Sequence, residues 1–127
     1  MGLRIELKPF ERIVIGESLI TNSETRIAFM IEGKEPILRE KDILMPEKAD
    51  TPVKQLYLCV QMMYLEKDSK KYQDLYLEFI RQLLAAVPQF RDKIELASKH
   101  ILVGSYYKAL RELKKLLIQE EEMLKHV

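Results

Sequence analysis

Along the first third of the chain apolar residues recur at every second position, and along the remainder at every third or fourth, so the pattern predicts strands followed by helices. Leu3, Ile5 and Leu7 alternate with Arg4, Glu6 and Lys8 until Pro9 ends the ladder. Arg12 to Ile15 and Ser18 to Thr21 flank Gly16-Glu17, which has the composition of a tight turn, and Asn22-Ser23 marks a second turn. Arg26 to Ile31 is apolar on both faces, which predicts a central strand, and Gly33-Lys34 turns the chain into a last strand from Pro36 to Arg39. The expectation is a small antiparallel, meander-like sheet of about five strands.

After the sheet, Asp50-Thr51-Pro52 has the form of a helix start: Thr51 can accept free backbone N–H groups and Pro52 needs no donor at the first helical position. Val53, Leu56, Tyr57, Val60, Met63 and Tyr64 share one stripe, while Leu58, Cys59, Met62 and Leu65 carry apolar surface round the other side. Positions 53–65 therefore predict a buried helix. Asp68-Ser69 is placed to cap a second helix whose apolar stripe runs from Tyr72 to Val87 and stops at Pro88. A third helix is expected from about Gln89 to Val103, with Gly104 as a left-handed cap. The fourth, from Ser105, carries Tyr106, Leu110, Leu113, Leu117 and Leu124 on a heptad-like seam that only Glu120 interrupts.

The predicted fold class is α+β, with an antiparallel β subdomain over 1–45 and an α-helical subdomain over 46–127, packed as one unit. A sheet this small buries too little apolar surface to be stable without cover. Together with the seam on the last helix, that predicts a homodimer.

Composition narrows the functional classes. With 47% apolar residues in 127, the chain can build a core and is not a disordered polymer. It has no apolar run of about eighteen residues, and its charged, strand-like start does not resemble a signal peptide, so a cytoplasmic protein without a membrane role is expected. A single cysteine, Cys59, excludes an internal disulfide. Formal net charge is +1, from 21 basic and 20 acidic side chains, so any nucleic-acid contact must come from a local patch and not from the field of the whole molecule.

No constellation for catalysis emerges. Gly2, Gly16, Gly33 and Gly104 are too dispersed for a phosphate-cradling loop. His100, His126 and Cys59 match no metal or nucleophile spacing, and Cys59 among Leu58, Val60 and Met62 has the setting of a core thiol. No enzyme, cofactor or metal site is expected.

The block Arg39-Glu40-Lys41-Asp42 has two readings: a solvated strand end whose charges pair locally, or, with Arg4 and Lys8, a basic edge suited to phosphates and guanine. Residues over much of the chain favour keeping the second. Ile37-Leu38-Arg39-Glu40-Lys41-Asp42-Ile43, then Ala49-Asp50-Thr51-Pro52, Gln61-Met62-Met63-Tyr64, Leu83 to Pro88 and Gly104-Ser105-Tyr106-Tyr107-Lys108-Ala109-Leu110, resemble the FlbT family of flagellar-biosynthesis repressors. The resemblance implies a post-transcriptional regulator that associates with the 5′ untranslated leader of flagellin mRNA and controls its stability or translation. Lys54-Gln55 has one basic residue fewer than the family pattern, and Leu58 stands where an aromatic is common.

The first third, Leu7 to Gly16 with Leu38-Arg39-Glu40, is also similar to the carbon-storage-regulator family of strand-swapped, messenger-binding dimers. That likeness places Lys8 and Arg39 beside RNA, although Leu7 replaces a second arginine. Arg4, Lys8, Arg39 and Lys41 are therefore the candidate RNA contacts. The rival reading is a protein-interaction module, chaperone-like, that docks flagellin or another flagellar regulator. It rests on Gly104 to Leu110, which looks like part of a tetratricopeptide hairpin and makes Tyr106 and Tyr107 candidate partner contacts.

Overall fold

The computed structural model describes residues 2–126, which divide between Ile43 and Leu44 into a β unit and a helical unit. The fold class is α+β, as the periodicities predict. In the β unit lie β1 (Leu3–Leu7), β2 (Arg12–Ile15), β3 (Ser18–Thr21), β4 (Ile27–Ile31) and β5 (Ile37–Arg39). All pairings are antiparallel, but the strands form two small sheets and not one. β1 pairs with β4, and β2 lies between β3 and β5. Gly16, at φ +61°, makes the two-residue turn of the β2–β3 hairpin, where Ile15 faces Ser18. A side chain there would also crowd the Glu35 carboxylate, 2.7 Å from the Cβ position.

The core of this unit is Ile5, Leu7 and Ile13, with Ile15, Phe29, Ile31 and Ile37 packed on it, so both sheets contribute. Two expectations are corrected. β4 is not a central strand, since among the described residues it pairs with β1 alone, and its outward Met30 is 58% exposed. Apolar side chains on both faces had suggested burial on both, but Ala28 and Met30 lie opposite Glu6 and Arg4 on the open face. Leu3, at the outer end of β1, is likewise exposed, although it shares the alternation of the buried Ile5 and Leu7.

The helical unit contains α1 (Pro52–Leu65), α2 (Gln73–Ala86), α3 (Arg91–Leu102) and α4 (Tyr106–Lys125). α1 is buried along Val53, Leu56, Tyr57, Val60 and Met63, as its nearly all-round apolar surface predicts. Its buried Gln61 is fully used: the side chain accepts from the Leu44 N–H at 2.8 Å and donates to the Leu44 carbonyl at 2.9 Å. α2 begins later than Asp68-Ser69 predicts. A short 3-10 turn, Lys70–Tyr72, intervenes, and the Asp68 carboxylate accepts from the Lys70 N–H instead of capping the α-helix. Gly104, at φ +77°, ends α3 in the expected left-handed cap, with the Ser105 N–H bonded to the His100 carbonyl at 2.8 Å.

The buried stripe of α4 only partly coincides with the expected seam, in which Leu110 and Leu113 are buried but Tyr106 and Leu117 are half-buried. Ala109, Leu110, Leu113 and Leu116 are buried, and α4 packs against α1 and α3. Leu124, by contrast, is exposed. Glu120, which interrupts the seam, is the residue that joins α4 to the start of α1. Its carboxylate accepts from the Thr51 hydroxyl and from the Val53 N–H at 3.0 Å, while Thr51 Oγ accepts from the Lys54 N–H at 3.2 Å. A buried negative group thus meets the positive end of a helix and two otherwise unpaired donors. At the other end of the same antiparallel pair, the Tyr64 and Tyr107 rings lie 5.9 Å apart, tilted by 48°. Glu120→Ala leaves the buried Val53 N–H without a partner and the half-buried Thr51 hydroxyl without its acceptor, so urea unfolding should show a loss of about 2 kcal/mol.

Candidate nucleic-acid interface

The four basic residues selected from the sequence come from distant stretches, and the β unit brings all of them to one cleft. Arg4, Lys8, Arg39 and Lys41 line a depression of about 700 Å³ together with Glu6, Glu11, Glu40 and a fifth base, Arg26. Alternation places Arg4 and Glu6 on the open face of the β1–β4 sheet. The register Leu7↔Ile27 makes Lys8 and Arg26 the next two positions, at the mouth between the strands.

These bases differ in how far they are already committed. Arg4 pairs with Glu6 at 3.3 Å, an exposed and therefore weak interaction. Arg39 is held more firmly: its Nη2 donates to the Glu6 carbonyl at 2.9 Å and lies 3.7 Å from the Glu11 carboxylate. Because Glu6 is on β1 and Arg39 on β5, this guanidinium braces one sheet to the other, leaving its buried Nε without a hydrogen bond. Glu40 pairs with Arg12 at 3.3 Å. Among the described residues Lys8 and Arg26 form no ion pair. Two like charges at neighbouring cross-strand positions cost stability, which a bound anion would recover.

The loop from Lys8 to Glu11 shapes the cleft. Glu11 closes it on itself: its N–H donates to the Lys8 carbonyl at 3.1 Å, and its carboxylate accepts from the Lys8 N–H at 2.8 Å. Between them Phe10 adopts φ +64°, a conformation costly for a side-chain-bearing residue, and its N–H is fixed to the Ser23 carbonyl at 2.9 Å. Phe10 is left 65% exposed in the loop that joins two residues of the cleft lining, Lys8 and Glu11.

Asn22 holds this arrangement together. It is buried, and its side-chain NH2 donates to the carbonyls of Leu7 at 3.3 Å, Lys8 at 2.8 Å and Thr25 at 2.9 Å, while its Oδ1 accepts from the Ser23 N–H at 2.8 Å. Sequence reasoning had taken Asn22 as a turn former only, and had missed Arg26 and Phe10. No local signal marks Arg26, whose place beside Lys8 follows only from the pairing of β4 with β1, a strand that ends at Leu7. Phe10 gave none, because the sequence does not reveal its φ.

Of the other candidates, Tyr106 is half-buried, with its hydroxyl 3.2 Å from Ser69 Oγ, and Tyr107 stacks on Tyr64. Cys59 is buried, which pushes its thiol pKa up to about 11. Among the described residues no group of His, Cys, Asp or Glu is placed to hold a metal, and no helix is long and apolar enough to cross a membrane.

The chain matches the family described as "Flagellar protein FlbT" over residues 3–124. It is 66% identical over 124 residues to the probable flagellum biosynthesis repressor protein FlbT of Rhodopseudomonas palustris (strain TIE-1), covering 98% of each chain. Identity to probable flagellum biosynthesis repressor protein FlbT 1 of Bradyrhizobium diazoefficiens is 44%, covering 97% of this chain and 85% of the relative. The flagellum biosynthesis repressor protein FlbT of Caulobacter vibrioides (strain ATCC 19089 / CIP 103742 / CB 15) is 36% identical over 132 residues, covering all of this chain and 92% of the relative. No solved structure matches the chain.

Two outcomes follow from this geometry. Asn22→Ala strands three carbonyls and should cost about 2–3 kcal/mol in denaturant unfolding, with the amides of Phe10 and Ser23 losing hydrogen-exchange protection. Cys59 should react with iodoacetamide at pH 8 only after unfolding. With a pKa of about 11, only about one thiol in a thousand is ionised at that pH.

Proposed function

The chain belongs to the FlbT family of flagellar proteins, and from that premise we infer that it regulates flagellum synthesis by binding messenger RNA. Its relatives carry the name of repressors, which is not a class of enzyme. In the reading proposed here, the protein acts in the cytoplasm, as a homodimer, on the 5′ untranslated region of a flagellin transcript, controlling its stability or translation.

The observation that carries the RNA reading is the cleft, where five basic side chains converge and two of them, Lys8 and Arg26, lack an anionic partner among the described residues. Unpaired cations attract phosphate and release counterions on binding. Phe10 adds the second requirement of single-strand recognition, an exposed ring on which an unpaired base stacks. The carboxylates of Glu6, Glu11 and Glu40 are engaged by Arg4, Arg39 and Arg12 and so leave Lys8 and Arg26 available to a phosphate. In this reading Arg39 positions the cleft more than it reads RNA, because its guanidinium is already engaged by Glu6 and Glu11.

A filter-binding titration with the flagellin leader RNA and a scrambled RNA of equal length, at two salt concentrations, tests this. The leader should bind more tightly, with affinity falling steeply as salt rises. Lys8→Ala with Arg26→Ala should reduce the salt slope by about two and leave folding stability unchanged or higher, since a repulsion is removed. Phe10→Gly, which keeps the left-handed backbone, should weaken binding by about 1–3 kcal/mol. Equal affinity for leader and scrambled RNA would overturn the direct-binding reading.

A further inference from the structure

A second concave surface lies in the helical unit, where no RNA contact is assigned. It is a groove of about 530 Å³ with Met63 and Tyr76 in its lining, bordered by Leu77 on α2, Ile101 and Leu102 on α3, and Tyr106 on α4. Met63 and Tyr76 are buried, whereas Leu77 is 62% and Leu102 85% exposed. Val103, next in sequence, is also exposed. Three large aliphatic side chains held in water beside a formed groove are more than the scattered apolar residues that any surface carries. The hydroxyls of its two tyrosines are already paired, that of Tyr76 with Ser98 Oγ at 2.7 Å and that of Tyr106 with Ser69.

Four lysines and four carboxylates lie within three residues of the lining, but three of the carboxylates are already paired. Lys70, Lys71, Lys99 and Lys108 are exposed, and each lies within three residues of one that lines the groove. Lys71 is taken up by Glu66 at 3.4 Å, while Lys70, Lys99 and Lys108 form no ion pair among the described residues. Against these three stands Asp74 alone, since Glu66 is paired with Lys71, Glu78 with Arg81 and Glu95 with Arg91, and the nearby Asp68 carboxylate accepts the Lys70 N–H. The start of α4 adds to the imbalance. Ser105 supplies no side-chain cap, the first turn contains no acidic residue, and Lys108 sits there, so the positive end of that helix is uncompensated. The start of α1 shows the contrast, since Thr51 and Glu120 both serve it.

We propose that this groove docks a partner protein's amphipathic helix, with aliphatic residues on one face and carboxylates along its margin. The aliphatic face covers Leu77, Leu102 and Val103, and the carboxylates meet Lys70, Lys99, Lys108 and the free N–H groups of α4. Docking here is independent of the cleft in the β unit, so a regulator of this construction carries its RNA and its protein partner at separate sites. Tyr106 is one wall of the groove. Tyr107, stacked on Tyr64, supports the turn and does not line the groove.

The test uses the full chain and a fluorescein-labelled synthetic helix with leucines on one face and glutamates on its flanks, compared with the same helix carrying lysines for glutamates. Anisotropy should show saturable binding of the glutamate helix and at least about tenfold weaker binding of the lysine helix. Leu102→Asp, at an 85% exposed position at the end of α3 where the folding cost is small, should weaken the glutamate helix by about tenfold or more. Lys99→Glu with Lys108→Glu should do the same and should improve binding of the lysine helix. All three substitutions should leave RNA filter-binding unchanged, so failure of the groove is distinguishable from failure of the cleft. Equal affinity for the two helices, or no effect of Leu102→Asp, overturns the proposal. A dimer that Leu102→Asp converts to monomer in sedimentation also overturns it, by assigning the groove to a second copy.

Discussion

One side-chain amide holds the β unit together. Its five strands are divided between two sheets, neither wide enough to make a core alone, and the shared apolar cluster is small. Asn22 supplies what packing does not. By gathering the carbonyls of Leu7, Lys8 and Thr25 it ties the end of β1 to the segment between β3 and β4. A buried polar group is costly unless fully bonded, and a fully bonded one specifies a single arrangement. That arrangement includes the Phe10 backbone, whose N–H is held by Ser23, the residue that Asn22 itself orients. The strain at Phe10 is therefore sustained from a neighbouring segment.

The helical unit solves a comparable problem with a carboxylate. A seam of leucines aligns α4 with α1 and α3 but specifies register loosely, because leucines interchange along a helix with modest loss. Glu120 within that seam removes the ambiguity, since only one register brings it to the Val53 N–H and the Thr51 hydroxyl. The gap in the apolar pattern of α4 is thus a positional signal. Read only as an interruption of a dimer seam, it conceals its partner on another helix.

Much of this was legible in the sequence. Strand alternation, the Thr51-Pro52 start, the Pro88 stop and the Gly104 cap are local features with local causes, and they appear where they were expected. The division into two sheets was not legible, because pairing depends on which strands meet and not on their polarity. β4 shows why: Met30 and Ala28 give it an apolar second face that the structure leaves in water. The delayed start of α2 has a similar origin, with Asp68 bonding to a 3-10 turn that intervenes before the helix. For the cleft, four basic residues could be named from motif position, whereas Arg26 required knowing that β1 and β4 are neighbours.

Net charge also misleads about the β unit, and the reason bears on how a nearly neutral protein meets a polyanion. Its seven basic and eight acidic side chains suggest no attraction at all. Yet charge acts through position. Glu6, Glu11 and Glu40 are spent on Arg4, Arg39 and Arg12, Glu17, Glu32 and Glu35 lie in the β2–β3 and β4–β5 turns, and Glu24 and Asp42 do not line the cleft. What remains at the cleft mouth is a pair of cations, Lys8 and Arg26, placed side by side by β pairing. At physiological ionic strength screening acts over roughly 8 Å, so a phosphate in the cleft responds to these two charges far more than to carboxylates in distant turns. A local excess inside a neutral envelope has a further consequence: it discourages indiscriminate coating of nucleic acid, since only a strand that enters the cleft gains the attraction. Selectivity then rests on shape and stacking at Phe10, the features that a count of charges does not record.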